Sequence, residues 1–173
     1  GKGHFRRSTI AETEEIPLAD GRIKQPLDLP AEERAGLGMQ TIELQLPQGE
    51  AYSILIGYDV RERIGALLAG MGIARRYVVV TDANVAALYG SLLIEELTGC
   101  GLPVEMIAFP AGEASKNIDT ALTIVRQLVN AGADRKTALI ALGGGVVGDV
   151  TGLVASLYMR SIPYLQIPTT LVA

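Results

Sequence analysis

Gly143, Gly145 and Gly148 stand in the spacing Gly-x-Gly-x-x-Gly, between an apolar run, Ala138 to Leu142, and a helix-compatible stretch from about Val147 to Met159. At the end of a strand such glycines let backbone amides approach a ligand with no Cβ in the way. The following helix N-terminus adds partial positive charge from its unpaired N–H groups. That chemistry suits a phosphate, and strand, turn and helix in this order are the context in which the spacing binds dinucleotides. One part of that pattern is missing. An acidic residue about 20 positions on usually holds a ribose, and here the region reads Gln166, Ile167 and Pro168. A turn that merely lets a helix pack close to a strand would use the same glycines.

The elements that must position this turn are legible upstream and downstream. Tyr164 to Ile167, stopped by Pro168, predicts a second strand and completes a βαβ unit. Tyr77 to Val80 is a β-branched run typical of a strand buried on both faces. Val104 to Phe109 predicts another strand, and helices are predicted from about Val85 to Leu97 and along a stripe of Ile118, Leu122, Val125, Leu128 and Val129 ending at Gly132. Nearer the N-terminus, Ile42, Leu44 and Leu46 alternate with polar residues and Ser53 to Ile56 gives a partner, which together predict a hairpin. Asp59 with Glu62 resembles a capping box ahead of a helix carrying Val60, Ile64, Leu67, Leu68 and Met71, stopped by Gly70 and Gly72. Alternating strands and helices imply an α/β fold with a largely parallel sheet and helices on both faces.

Ligands of open α/β sheets sit beyond the carboxyl ends of the strands. Four predicted strands end there with polar segments: Thr81-Asp82-Ala83-Asn84, Pro110 to Lys116, Gly143 to Asp149, and Pro168-Thr169-Thr170. Each has an ordinary structural explanation. Asp82 and Asn84 are turn formers, Ser115 or Asn117 could cap a helix, Asp149 suits a helix dipole, and Thr169 and Thr170 suit a strand end. Their shared placement favours a site.

Composition narrows the function classes. The 173 residues are 49% hydrophobic and 20% charged, which fits a globular domain with a real core. A formal net charge of −4 argues against general binding to nucleic acid or an anionic membrane, so any anionic substrate must be held locally. Cys100 is the only cysteine, which excludes an intramolecular disulfide and points to a reducing, cytoplasmic compartment. His4 is the only histidine, and no clustered His/Cys set exists to bind zinc. Asp149 and several glycines interrupt the apolar stretch Ala138 to Met159, which reads as core rather than a membrane span.

Residues 1–38 differ in character, with Arg6-Arg7, Glu14-Glu15, Glu32-Glu33 and three prolines but no sustained period. They are expected to form a flexible extension or to be a fusion remnant. Met39, which precedes the first strand, would then be the natural start.

Three motifs together carry a family resemblance: Gly143-Gly144-Gly145-Val146-Val147-Gly148-Asp149, then Tyr158-Met159-Arg160, then Ile167-Pro168-Thr169-Thr170-Leu171. From about Gln40 to Ala173 the chain resembles the N-terminal, NAD-binding portion of the 3-dehydroquinate synthase family of sugar-phosphate cyclases. The resemblance implies a Rossmann-like domain over residues 39–173, with the C-terminal metal and substrate domain absent. It implies that Asp82, Asn84, Glu113, Ala114, Ser115 and Lys116 belong to the nucleotide site, with Gly144, Gly145 and Val146 as the backbone cradle. Asp149 would lie close to the nicotinamide end, and Thr169 and Thr170 would contact the cofactor. Arg160 would grip the phosphate of a sugar-phosphate substrate, in family members sometimes in a neighbouring subunit's site, so a homodimer is expected.

Ser161 departs from the family, which commonly has glycine after Tyr-Met-Arg. The implied reaction oxidises a substrate hydroxyl, eliminates phosphate from the activated ketone, returns the hydride, and closes a ring by an aldol step. No catalytic residue is assigned within this chain. A divalent metal, zinc or cobalt, is expected only with the missing domain, and the chain alone is expected to be inactive. Two other readings stay open. One is a related metal-dependent polyol dehydrogenase, or another sugar-phosphate cyclase; the other is a non-catalytic nucleotide-binding module.

Overall fold

The computed structural model describes residues 38, 40–45, 51–57 and 60–170. The expectations for the N-terminal extension, for a start at Met39 and for an Asp59 cap lie outside the described residues, Gly38 apart. The chain divides into two compact units, Gly1–Val60 and Arg61–Ala173.

In the first unit, β1 (Gln40–Gln45) pairs antiparallel with β2 (Ala51–Ile56). Ile42 lies opposite Ile54, so the alternation read in the sequence places apolar side chains together on one face.

A 3-10 turn at Val60–Arg63 begins at the last residue of the first unit and leads, in the second, into helix α1 (Ile64–Met71). Gly70 does not stop α1. Its chain reverses at Gly72, whose φ of 60° is a left-handed helix cap that glycine adopts without steric penalty. Strand β3 (Arg76–Asp82) follows, then a helical run of Ala83–Val85, a π turn at Ala86–Gly90, and α2 (Ser91–Gly99). Next come β4 (Val104–Phe109), α3 (Ile118–Asn130), β5 (Thr137–Gly143), α4 (Gly145–Leu157), a 3-10 turn at Tyr158–Arg160, and β6 (Tyr164–Pro168).

The four strands of this unit are parallel, in the order β4-β3-β5-β6. The central pair is aliphatic because it is covered on both sides: every residue of β5 is buried. Val78, Val80, Leu139 and Ala141 pack with α3 and α4 on one face. Tyr77, Val79, Ala138, Ile140 and Leu142 pack with α1 and α2 on the other.

One sequence expectation is corrected here. In α3 the residues that meet the sheet are Ala121, Ile124 and Leu128, with Val125 at their margin. Ile118, Leu122 and Val129, read as part of the buried stripe, are 54%, 42% and 58% exposed. At 3.6 residues per turn the two rows lie roughly a quarter turn apart. Ala121 lets the helix seat closely along its own row, which swings the bulkier row outward.

Candidate nucleotide site at the strand ends

The helices following β3 lie on one face of the sheet and the helix following β5 lies on the other, yet β3 and β5 are neighbours. Their carboxyl ends therefore flank the switch-point crevice where open α/β sheets bind ligands. Thr81 fixes the floor of that crevice. Fully buried, it donates its hydroxyl hydrogen to the Leu142 carbonyl at 2.7 Å and so ties the end of β3 to the end of β5.

Asp82 begins the helical run on the β3 side. Its Oδ1 accepts from the backbone N–H groups of Asn84 and Val85 at 2.9 and 3.0 Å, the ordinary N-cap geometry for aspartate. The capping role and a ligand role are compatible, because a carboxylate has a second oxygen. Asn84 is exposed beside it.

On the β5 side, Gly144 occupies the N-cap of α4 with no side-chain cap. The first intrahelical bond runs from Gly148 N–H to the Gly144 carbonyl at 3.0 Å, so the amides of Gly145 and Val146 precede it and have no intrahelical acceptor. A Cβ on Gly144 would stand 3.1 Å from the Thr170 side chain. The glycine turn and the segment after β6 are therefore in contact, helped by the bond from Thr169 N–H to the Gly143 carbonyl at 3.0 Å. Gly148 plays the other role open to the spacing, since a Cβ there would meet the Gln166 amide at 3.2 Å. It lets α4 lie against β6.

The loop after β4 completes the rim. Gly112, with φ 108°, turns the chain into the 3-10 turn Glu113–Ser115. Ser115 is buried and its hydroxyl donates to the Pro110 carbonyl at 2.5 Å, so it shapes the loop. Asn117, not Ser115, caps α3: its Oδ1 accepts from Thr120 N–H at 2.9 Å, and its amide donates to the Ala114 carbonyl at 2.6 Å. Lys116 reaches from this loop to α4, where Nζ lies 2.6 Å from Asp149 Oδ2, with Glu113 Oε1 at 4.0 Å. The hydrogen bond to Asp149, and then the negative charges of Asp149 and Glu113, hold the Lys116 amine above its ordinary pKa.

The structure thus gathers Asp82, Asn84, Glu113 to Lys116, Gly144 to Val146, Asp149, Thr169 and Thr170 at one end of the sheet. It does not bring Arg160 there. Arg160 follows α4, whose 13 residues span about 20 Å at 1.5 Å each, so it stands at the opposite end. Its guanidinium has no ion-pair partner among the described residues. The turn presenting it has three consecutive non-glycine residues in left-handed backbone, Met159, Arg160 and Ser161, with φ of 50°, 67° and 83°. Such residues cost about 1–3 kcal/mol each. Ser161→Gly is therefore expected to stabilise the fold by about 1 kcal/mol after the extra unfolded-state freedom of glycine is deducted. Denaturant unfolding checks this, and an unchanged or lower midpoint would contradict it.

Among the described residues no group of three or more His, Cys, Asp or Glu side chains could hold a metal ion, and no helix is long and apolar enough to cross a membrane. A separate groove of about 360 Å³ lies between β4 and α3, lined by Ile107, Phe109, Thr120, Thr123 and Gln127 among others.

Comparison with known proteins bears on the same elements. Residues 106–173, from β4 through the glycine turn to the end of the chain, match the family described as 3-dehydroquinate synthase N-terminal. The 3-dehydroquinate synthase of Symbiobacterium thermophilum is 45% identical over 125 residues, covering 72% of this chain and 35% of that protein. Over these residues the chain is similar to the N-terminal portion of the 3-dehydroquinate synthases. Among solved structures, 2-deoxy-scyllo-inosose synthase, in complex with carbaglucose-6-phosphate, NAD+ and Co2+, superposes with a TM-score of 0.69 at 25% identity. The match covers 76% of this chain and 35% of that one. The 2-epi-5-epi-valiolone synthase of Streptomyces hygroscopicus, solved with NAD+ and Zn2+ bound, gives 0.55 at 39% identity over 62% and 31%. The fold is that of the Rossmann-like sugar-phosphate cyclases. The chain spans about a third of the length of the relatives it matches.

Proposed function

We propose that this chain is the NAD-binding portion of a 3-dehydroquinate synthase, an enzyme of the shikimate pathway of aromatic amino acid biosynthesis, working in the cytoplasm. The enzyme converts 3-deoxy-D-arabino-heptulosonate 7-phosphate to 3-dehydroquinate and phosphate. The observation that carries this reading is the convergence at the β3/β5 crevice of the capless glycine turn, the Glu113–Lys116 loop and Thr170. The donor set fits a dinucleotide: free first-turn amides for a pyrophosphate, a spare Asp82 oxygen and Glu113 for ribose hydroxyls, and a glycine where a Cβ would fill the cradle.

In this reading NAD, once bound, supplies hydride acceptance and return, and the protein orients it. The amides of Gly144, Gly145 and Val146 hold the pyrophosphate. Thr169 and Thr170 donate from the β6 side, and Asn84, Ala114 and Ser115 form the adenosine end of the rim. Asp149 faces the nicotinamide end. Arg160 binds the substrate phosphate through a planar, bidentate guanidinium. Because it stands about 20 Å from the turn along α4, it serves the site of a second copy in a homodimer. A divalent metal, zinc or cobalt, belongs with residues beyond this chain.

The test is an assay of the protein carrying its full family length, with NAD and the heptulosonate phosphate. Release of phosphate with formation of dehydroquinate and no net NADH is the expected result. Sustained NADH accumulation with a simple polyol would replace the cyclase by a dehydrogenase. The 173-residue chain by itself is expected to show negligible turnover.

A further inference from the structure

The strand order β4-β3-β5 means that a contact from the loop after β4 to the helix after β5 must pass over the carboxyl end of β3. Lys116 and Asp149 make that contact at 2.6 Å. Both belong to segments on the α3/α4 face of the sheet, so their pair crosses the carboxyl end of β3, where Asp82 lies, on that side. A dinucleotide running from Asp82 to Gly144 would lie along the same path. Lys116 is 45% and Asp149 61% exposed, so nothing buried holds the pair shut.

We infer that the Lys116–Asp149 pair is a strap across the nucleotide crevice, which opens when the pyrophosphate of the ligand displaces Asp149 as the partner of Lys116. This rests on the cofactor reading above. A charged pair at this distance and exposure contributes modestly, so the strap lowers affinity without blocking entry. It makes Lys116 a shared group: in the free protein it quenches Asp149, and in the complex it faces phosphate. Asp149, released, becomes free to meet the other end of the ligand.

The test uses ADP-ribose, which carries the pyrophosphate but no nicotinamide, so any contact of Asp149 with the nicotinamide does not enter. Calorimetric titrations compare the parent chain, Asp149→Asn, Lys116→Met and the double variant, with adenosine as the phosphate-free control. Asp149→Asn is expected to tighten ADP-ribose binding roughly three- to fivefold and to leave adenosine unchanged. Lys116→Met is expected to weaken ADP-ribose and to remove the gain from Asp149→Asn. Unchanged or weaker ADP-ribose binding by Asp149→Asn would overturn the strap. So would a gain that persists with Lys116→Met, because it would reflect simple loss of repulsion. If the parent binds ADP-ribose while the strap variants behave otherwise, only the strap fails. If no variant binds any of these ligands, the cofactor reading falls with it.

Discussion

Gly144→Val is expected to weaken NAD binding by roughly tenfold to a hundredfold while leaving the fold in place. The backbone at Gly144, with φ −87° and ψ −165°, is open to any residue, so the substitution is not strained in itself. The obstacle is space. Even a bare Cβ would sit 3.1 Å from the Thr170 side chain, and the two further methyls of valine would fill the gap between the glycine turn and the β6 segment. Overpacking costs about 1–3 kcal/mol, and in a shared pocket the ligand is the partner that can leave. Gly152→Ala, on the same helix, is the control. Its Cβ would meet the Tyr164 hydroxyl at an ordinary 3.5 Å, away from the cradle, so binding should be unchanged. Equal NAD affinity in Gly144→Val and the parent would remove the glycine turn from the site.

Leu139→Ala is expected to be the most damaging of these changes to stability, by about 3 kcal/mol. Leu139 is fully buried in β5, against α3 and α4, and its strand pairs on both sides, with β3 and β6. Neighbours fixed by two ladders cannot collapse far into the space left by a lost isobutyl group, so the cavity term adds to the transfer term. Urea unfolding followed by circular dichroism measures the loss. A change below about 1 kcal/mol would mean that the site relaxes, against the tight packing inferred for β5.

The strands were the most legible part of the chain. Val104 to Phe109 is read from sequence with the bounds the fold shows, and Tyr77 to Val80 and Ala138 to Leu142 lie within slightly longer strands. Buried parallel strands are continuous apolar runs bounded by glycine, proline or polar residues, and that pattern is local. The face of α3 was not legible, because Ile118, Leu122 and Val129 share a helical row as regular as that of Ala121, Ile124 and Leu128. Only packing against the sheet decides between the rows.

The grouping of polar segments at the strand ends follows from α/β topology alone. Which side chains meet there does not. Lys116 finds Asp149 because β3 lies between β4 and β5, and strand order is not written in any one segment. The left-handed run Met159 to Ser161 carries no glycine to announce it. Thr81, whose hydroxyl ties β3 to β5, reads in sequence as one more β-branched strand residue.

The central claim is that the amides at the start of α4 form one wall of a nucleotide crevice closed by the Glu113–Lys116 loop and Thr170. The most direct measurement is a titration of the 15N-labelled chain with NAD, followed by the backbone amide resonances. The account predicts saturable shifts at Gly144, Gly145 and Val146, with smaller ones at Asp82, Lys116 and Thr170 and none at Arg160. Shifts confined to the groove between β4 and α3, around Thr120 and Thr123, or saturating NAD that leaves the glycine turn unmoved, would contradict it.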